Sequence, residues 1–203
     1  MVDSQDFSLF LPRYLSPETE EKLLGDLRDF PENIDQRMYG FSGKLNDLIY
    51  QGDGLMEMSF VSFPDTKIQK VPCIVLSNTC DIEQSNQRKF NSNIVYAPIV
   101  DLAKYRALLL RQKVFSSESI DAHIGSIRRQ EITQVFYLPA SPTGPGESIV
   151  FLDRICSCDS AAIERESVSR KRLFSLSQYG FYLFLYKISI HFTRFYEKVD
   201  RKY

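Results

Sequence analysis

The sequence predicts an α+β protein: a small, mostly antiparallel β unit carrying a helical insertion, with helical extensions at both ends. Two observations carry that prediction. From Gly52 onward the chain breaks into short β-type runs at 55–63, 73–76, 94–99, 133–138 and 148–152, separated by turn-forming residues. Between the third and fourth runs, and again before and after the series, apolar residues recur at helical spacing instead. The chain therefore divides into an N-terminal helical extension (1–50), a β unit (51–163) interrupted by a helical insertion (101–131), and a C-terminal helical segment (164–203).

Each element has a local cause. Ser16-Pro17-Glu18 opens the first helix with a capping hydroxyl, a proline at the first helical position and an acid that complements the helix dipole. Leu23, Leu24, Leu27 and Phe30 form its apolar face, and Pro31 ends it. A second short helix is expected over 32–50, closing at Tyr50. The run 55–63 alternates loosely until Pro64-Asp65 breaks it, whereas 73–76 is apolar throughout and ends at Ser77-Asn78, as a buried strand does. Asp101 caps the first insertion helix, and Ile120, Ile124 and Ile127 give the second a stripe at i, i+4 and i+7. Residues 140–146, rich in Pro, Gly and Ser, make an exposed loop.

The last segment sorts its side chains into three groups on a helical wheel. Phe181, Phe184, Leu185, Ile188, Phe192, Phe195 and Val199 form one stripe, and Lys187, His191, Arg194, Lys198 and Arg201 form a second. Tyr182, Tyr186 and Tyr196 take the side that is left. A strand cannot sort three classes of side chain over so long a stretch, so one long amphipathic helix is predicted.

Composition describes an ordinary folded chain: 203 residues, 43% hydrophobic and 25% charged. A formal net charge of −1 excludes a polycation drawn as a whole to nucleic acid or membrane, yet it hides a gradient. Residues 1–36 hold nine acids against three bases, and residues 165–203 hold nine bases against three acids. Asp3 and Asp6 stand where a signal peptide would be basic, and the apolar stretch 179–192 is shorter than a membrane span. Cys73, Cys80, Cys156 and Cys158 are too few for a disulfide scaffold, so the expectation is a soluble cytoplasmic protein with reduced thiols and no cofactor.

Four segments stand in a suggestive order: Gly52-Asp53 before a run ending in Phe63-Pro64; Val71-Pro72 before the apolar 73–76 and Ser77-Asn78; the strand 95–100; and the strand 149–160. In this order residues 50–163 resemble the MazF/PemK family of toxin endoribonucleases. The resemblance implies a compact, mostly antiparallel barrel, and a toxin–antitoxin or phage-defence setting. It also implies where the family's catalytic residues would fall. The arginine that engages the scissile phosphate is replaced here by Val71, and the catalytic Thr or Ser aligns near Val100. A valine cannot donate a charge-assisted hydrogen bond, so the resemblance carries the fold and not the cleavage chemistry.

Other candidates come from the residues themselves. Cys80 beside Asp81, in the turn after the buried strand, suits a nucleophile if the C-terminal helix supplies a histidine. The competing reading is an ordinary turn, with Asn78 and Asp81 bonding local backbone and Cys80 packing as a small hydrophobe. Asp81 and Glu83 alone make a weak cation site, and Cys156-x-Cys158 lacks zinc-knuckle spacing, so no metal is expected. Lys187, His191, Arg194, Lys198 and Arg201, extended by Arg88 and Lys89, form a candidate nucleic-acid surface, with Asn78 and Lys70 at the barrel rim. The same basic stripe could instead pair with the acidic N-terminal helix. The apolar stripe through Phe181, Phe184, Ile188, Phe192 and Phe195 could pack against a partner protein or a second copy. Three readings stand: a non-toxin barrel binding nucleic acid or a partner, a nuclease with a relocated site at Cys80-Asp81, and a structural or regulatory subunit.

Overall fold

The computed structural model describes residues 47–86, 88–141 and 144–193, together with 30–32, 34, 36–40 and the single residues 18, 21, 22 and 25. Seven strands form one sheet: β1 (Gly54–Phe60), β2 (Gln69–Val75), β3 (Asn93–Asp101), β4 (Val135–Leu138), β5 (Ser148–Phe151), β6 (Cys156–Asp159) and β7 (Arg172–Phe174). Six run in the order β4-β5-β3-β2-β1-β7 and β6 pairs with β3, every pairing being antiparallel. The sheet curls into a half-barrel.

β3 is the hub. Cys73–Val75 of β2 pair with its residues 96–98, while β5 pairs with residues 99–101 and β6 with residues 93–96. Both faces of this hub are buried, which is why β2 reads as an unbroken apolar run. Ile74, Ala97 and Ile99 face one core; Cys73, Val75, Ile94 and Tyr96 face another.

Within residues 47–193 five α-helical segments join the sheet: α1 (Thr79–Ile82), α2 (Leu102–Gln112), α3 (Ser117–Arg128), α4 (Val168–Lys171) and α5 (Gln178–Thr193). The insertion is helical as expected. Asp101 accepts a hydrogen bond from Lys104 N at 2.8 Å, capping α2, and Ser116 Oγ accepts from Ser119 N at 3.2 Å, capping α3. Ile120, Ile124 and Ile127 are buried on Leu102, Val135, Tyr137 and Ile149, so the α2–α3 hairpin covers the β4–β5 end of the sheet.

The C-terminal segment departs from the prediction. It is not one helix: residues 165–171 make tight helical turns, β7 then adds an edge strand to β1, and α5 begins only at Gln178. A three-residue strand with no flanking Gly or Pro carries no sequence signal. α5 also turns a different side inward. Tyr179, Tyr182, Leu183, Tyr186 and Lys187 are buried at i, i+3, i+4, i+7 and i+8. Among the described residues of the predicted apolar stripe only Phe184 is fully buried; Phe181, Leu185 and Ile188 are half-buried and Phe192 is 57% exposed. The core takes tyrosine rings by their apolar bodies, which a hydropathy ranking undervalues. The helix lies close against the single turn Gln36–Met38, and a Cβ on Gly180 would overlap the Met38 carbonyl oxygen.

Of the helix expected over 32–50 the described residues show that turn and a bridge from Tyr39 to Leu176; residues 47–50 are not helical, so no helix closes at Tyr50, and 33, 35 and 41–46 lie outside the described residues. Glu18, Glu21, Lys22 and Gly25 are helical and exposed. Leu23, Leu24 and Leu27 of the first helix, like Arg194, Phe195, Tyr196, Lys198, Val199 and Arg201 of the last, lie outside the described residues.

Candidate functional site

A buried carboxylate organises one rim of the half-barrel. Gly52, at φ +88°, turns the chain into β1 and delivers Asp53 to a fully buried position. Asp53 Oδ2 accepts from Tyr50 N at 2.9 Å and from Arg172 Nε at 3.1 Å, and Oδ1 accepts from the Ser175 hydroxyl at 2.6 Å. Arg172 also donates to the Leu48 carbonyl. Burial pushes the Asp53 carboxyl above its ordinary value, and the Ser175, Tyr50 and Arg172 donors oppose that push. The group ties the 48–53 turn to β7 and to the start of α5. Sequence reasoning missed this role, although Gly-Asp at a strand entry was its visible sign.

Beside this junction opens a cleft of about 510 Å³. One wall is the turn Tyr50-Gln51, the second is Asn78-Thr79-Cys80, and the third is the entry to α5, from Ser175 to Gln178 and on to Phe181. Hydrogen bonds fix these walls to each other. Gln51 N donates to Thr79 Oγ1 at 3.0 Å, and Gln51 Nε2 donates to the Leu76 carbonyl at 2.7 Å. Asn78 Oδ1 accepts from Cys80 N at 2.9 Å, and Ser177 Oγ accepts from Gly180 N at 3.1 Å.

The structure gathers some predicted site residues here and disperses others. Asn78 and Cys80 line the cleft. Asp81 points away to Arg88 at 3.4 Å, and Arg88 Nη2 donates to the Cys80 carbonyl at 2.5 Å, so Arg88 is spent on closing its own loop while Lys89 is exposed. The Cys80 thiol is exposed and makes no hydrogen bond to a histidine among the described residues. His123 Nε2 lies 3.1 Å from the Tyr105 hydroxyl on the α2–α3 hairpin, and the half-buried His191 ring lies 4.7 Å from that of Phe192.

Lys187 corrects the basic stripe. It is 4% exposed, and its Nζ donates to the Gln130 carbonyl at 2.5 Å. Burial pushes its ammonium down to about 7. Gln130 is itself fixed, exchanging two hydrogen bonds with the Tyr137 backbone at 2.7 and 3.0 Å. Lys187 is thus a core residue that ties α5 to the end of α3, because its long apolar stem is drawn into the core with the tyrosines beside it.

A second depression, of about 360 Å³, surrounds Val71 and Pro72. Ile99 and Asp101 border it, while Val100 turns to the opposite face and packs against the α2–α3 core. Lys70 also lines it, its Nζ donating to Ser59 Oγ at 2.9 Å, and Lys171 pairs at 3.3 Å with the lining residue Glu57. Glu57 adopts φ 60° at a bulge in β1. Among the described residues no group of three His, Cys, Asp or Glu could hold a metal, and no helix is long and apolar enough to cross a membrane.

Compared with protein-family models and with curated proteins, the chain matches none.

Proposed function

We propose that this chain is a MazF/PemK-like barrel protein that binds nucleic acid and lacks the toxin's cleavage chemistry. The supporting observation is the depression around Val71. Of the four segments that carry the resemblance, the first three pair side by side as β1, β2 and β3 and the fourth splits into β5 and β6, each paired with β3, and the position of the family's phosphate-binding arginine opens into that depression. Val71 leaves it without the arginine; Lys70 is its one basic lining residue among those described, and Lys171 stands beside it paired with the lining Glu57, while Asp101 lines it as well. In this reading a phosphate backbone engages Lys70 and Lys171, and no arginine is there to activate it.

Filter binding of labelled RNA and DNA from about 50 to 200 mM salt tests the reading, with a log–log slope of several units expected. Lys70→Ala and Lys171→Ala should each reduce that slope by about one. No binding at low salt, or a slope insensitive to both variants, overturns it. A protein partner or second copy is the competing reading, favoured by Phe192 at 57% exposure one turn from half-buried Ile188. Light scattering that shows a dimer lost in Phe192→Glu would support it.

A further inference from the structure

We infer that the 510 Å³ rim cleft is a receptor for an unpaired nucleobase, a planar, uncharged, hydrogen-bonding ring. The inference rests on the nucleic-acid reading above and assigns to that protein a base-recognising site separate from the Val71 depression.

The lining decides the ligand class. Among the described residues Asp53 is the cleft's one charged lining residue, and its carboxylate is 0% exposed and consumed by Tyr50 N, Ser175 and Arg172. The described lining leaves no charge to attract a phosphate, a carboxylate or a metal ion. The other groups are neutral and directional, and their committed bonds define what is left over. Gln51 has given its amide N–H to Leu76, which leaves Oε1 as an acceptor. Asn78 has used Oδ1 on Cys80 N, which leaves its NH₂ as a donor. Thr79 Oγ1 has accepted from Gln51 N, which leaves its O–H to donate. Gln178 is exposed, and its amide is engaged by no described residue. Donors and acceptors thus converge on one space, as the edge of a base requires.

The walls supply the complementary surface. Tyr50 and Phe181 are half-buried and line the same cleft, presenting rings on which a base can stack. The volume falls within the range of about 300–1,000 Å³ that takes small organic ligands. The walls are rigid, since the Asp53 junction and the Gln51–Thr79 bond fix all three segments before any ligand arrives.

The base can come from a single strand or from a free nucleoside, and competition binding separates the sources. The full chain is titrated with a labelled single-stranded RNA, the same strand bearing abasic positions, and unlabelled adenosine, guanosine, cytidine and uridine. The intact strand should bind about 5- to 100-fold more tightly than the abasic one, and Phe181→Ala should remove that difference while leaving the salt slope unchanged. Phe181→Leu retains apolar packing against the core beneath α5 and should lose the same difference, which guards against a folding defect. Gln178→Ala, at an exposed position, should change the ranking of the bases. Equal binding of intact and abasic strands overturns the base site and leaves the nucleic-acid reading standing. Nucleoside binding without strand binding supports the cleft and overturns that reading. Binding of neither overturns both.

Discussion

Replacing Lys187 with methionine should change the sign of its effect on stability between neutral and alkaline pH. The folded chain holds the ammonium down to about 7 by burial, against about 10.4 when unfolded. Between those values the unfolded state binds more protons than the folded state, so folding stability rises with pH across the window and is level below it. At pH 7 the burden of burying this amine is of order 4 kcal/mol, and near pH 10 it has almost vanished. Methionine fills a similar volume without that burden, but it leaves the Gln130 carbonyl without the donor now 2.5 Å away, a loss of about 1–3 kcal/mol. Lys187→Met should therefore be more stable than the native chain by about 1–3 kcal/mol at pH 7 and less stable by a similar amount near pH 10. Urea unfolding of both proteins from about pH 6 to pH 10, followed by far-UV circular dichroism, reads the difference directly, with tyrosine and other lysine titrations cancelling. A difference that is flat in pH, or that grows in favour of methionine as pH rises, refutes the reasoning.

Two further outcomes follow from the same coordinates. Arg172→Ala should destabilise by about 3–5 kcal/mol, read as a lower urea midpoint, because it strands Asp53 at 0% exposure; Asp53→Asn should cost about as much, because it strands the Arg172 side chain at 3% exposure and offers one amide oxygen where two carboxylate oxygens now serve Tyr50 N and Ser175. Among the thiols, Cys80 should react with Ellman's reagent in the native state, while Cys73, buried and pushed up to about 12, should react only after unfolding.

Much of the sheet was legible in the sequence because local chemistry and long-range packing agreed there. The apolar 73–76 run is a strand with both faces covered, and Ser77-Asn78 ends it by bonding backbone: Ser77 Oγ accepts from Val95 N at 2.7 Å. The insertion was legible for the same reason, since Asp101 caps and Ile120, Ile124 and Ile127 repeat at the spacing they bury. The C-terminal segment was not. Its wheel contains two apolar sides, one of phenylalanines and one of tyrosines, and hydropathy alone favours the first. What chose the second was the shape of the surface receiving it: the Met38 turn, Phe136 and Leu138 already in place, with Gln130 offering its carbonyl to Lys187. β7 was invisible because its three residues form a strand only where β1 supplies an edge.

The candidate cleft was half legible, and the missing half explains its rigidity. The strand before them places Asn78 at a rim and Cys80 in the turn beside it, but a rim becomes a receptor only when other segments close around it. Those segments are Tyr50-Gln51, some 28 residues away across the Gln51–Thr79 bond, and the Ser175 turn, 122 residues away across the Ser175–Asp53 bond. Neither separation leaves a periodic trace in sequence. Both bonds converge on the turn that carries Gly52-Asp53, so the turn that begins the barrel also fixes the approach of α5 and with it the place of Phe181. Loosening Asp53 should therefore degrade the cleft before it degrades the sheet, because β1 to β3 hold one another through their own ladders while α5 reaches the 48–53 turn through the donors around one carboxylate.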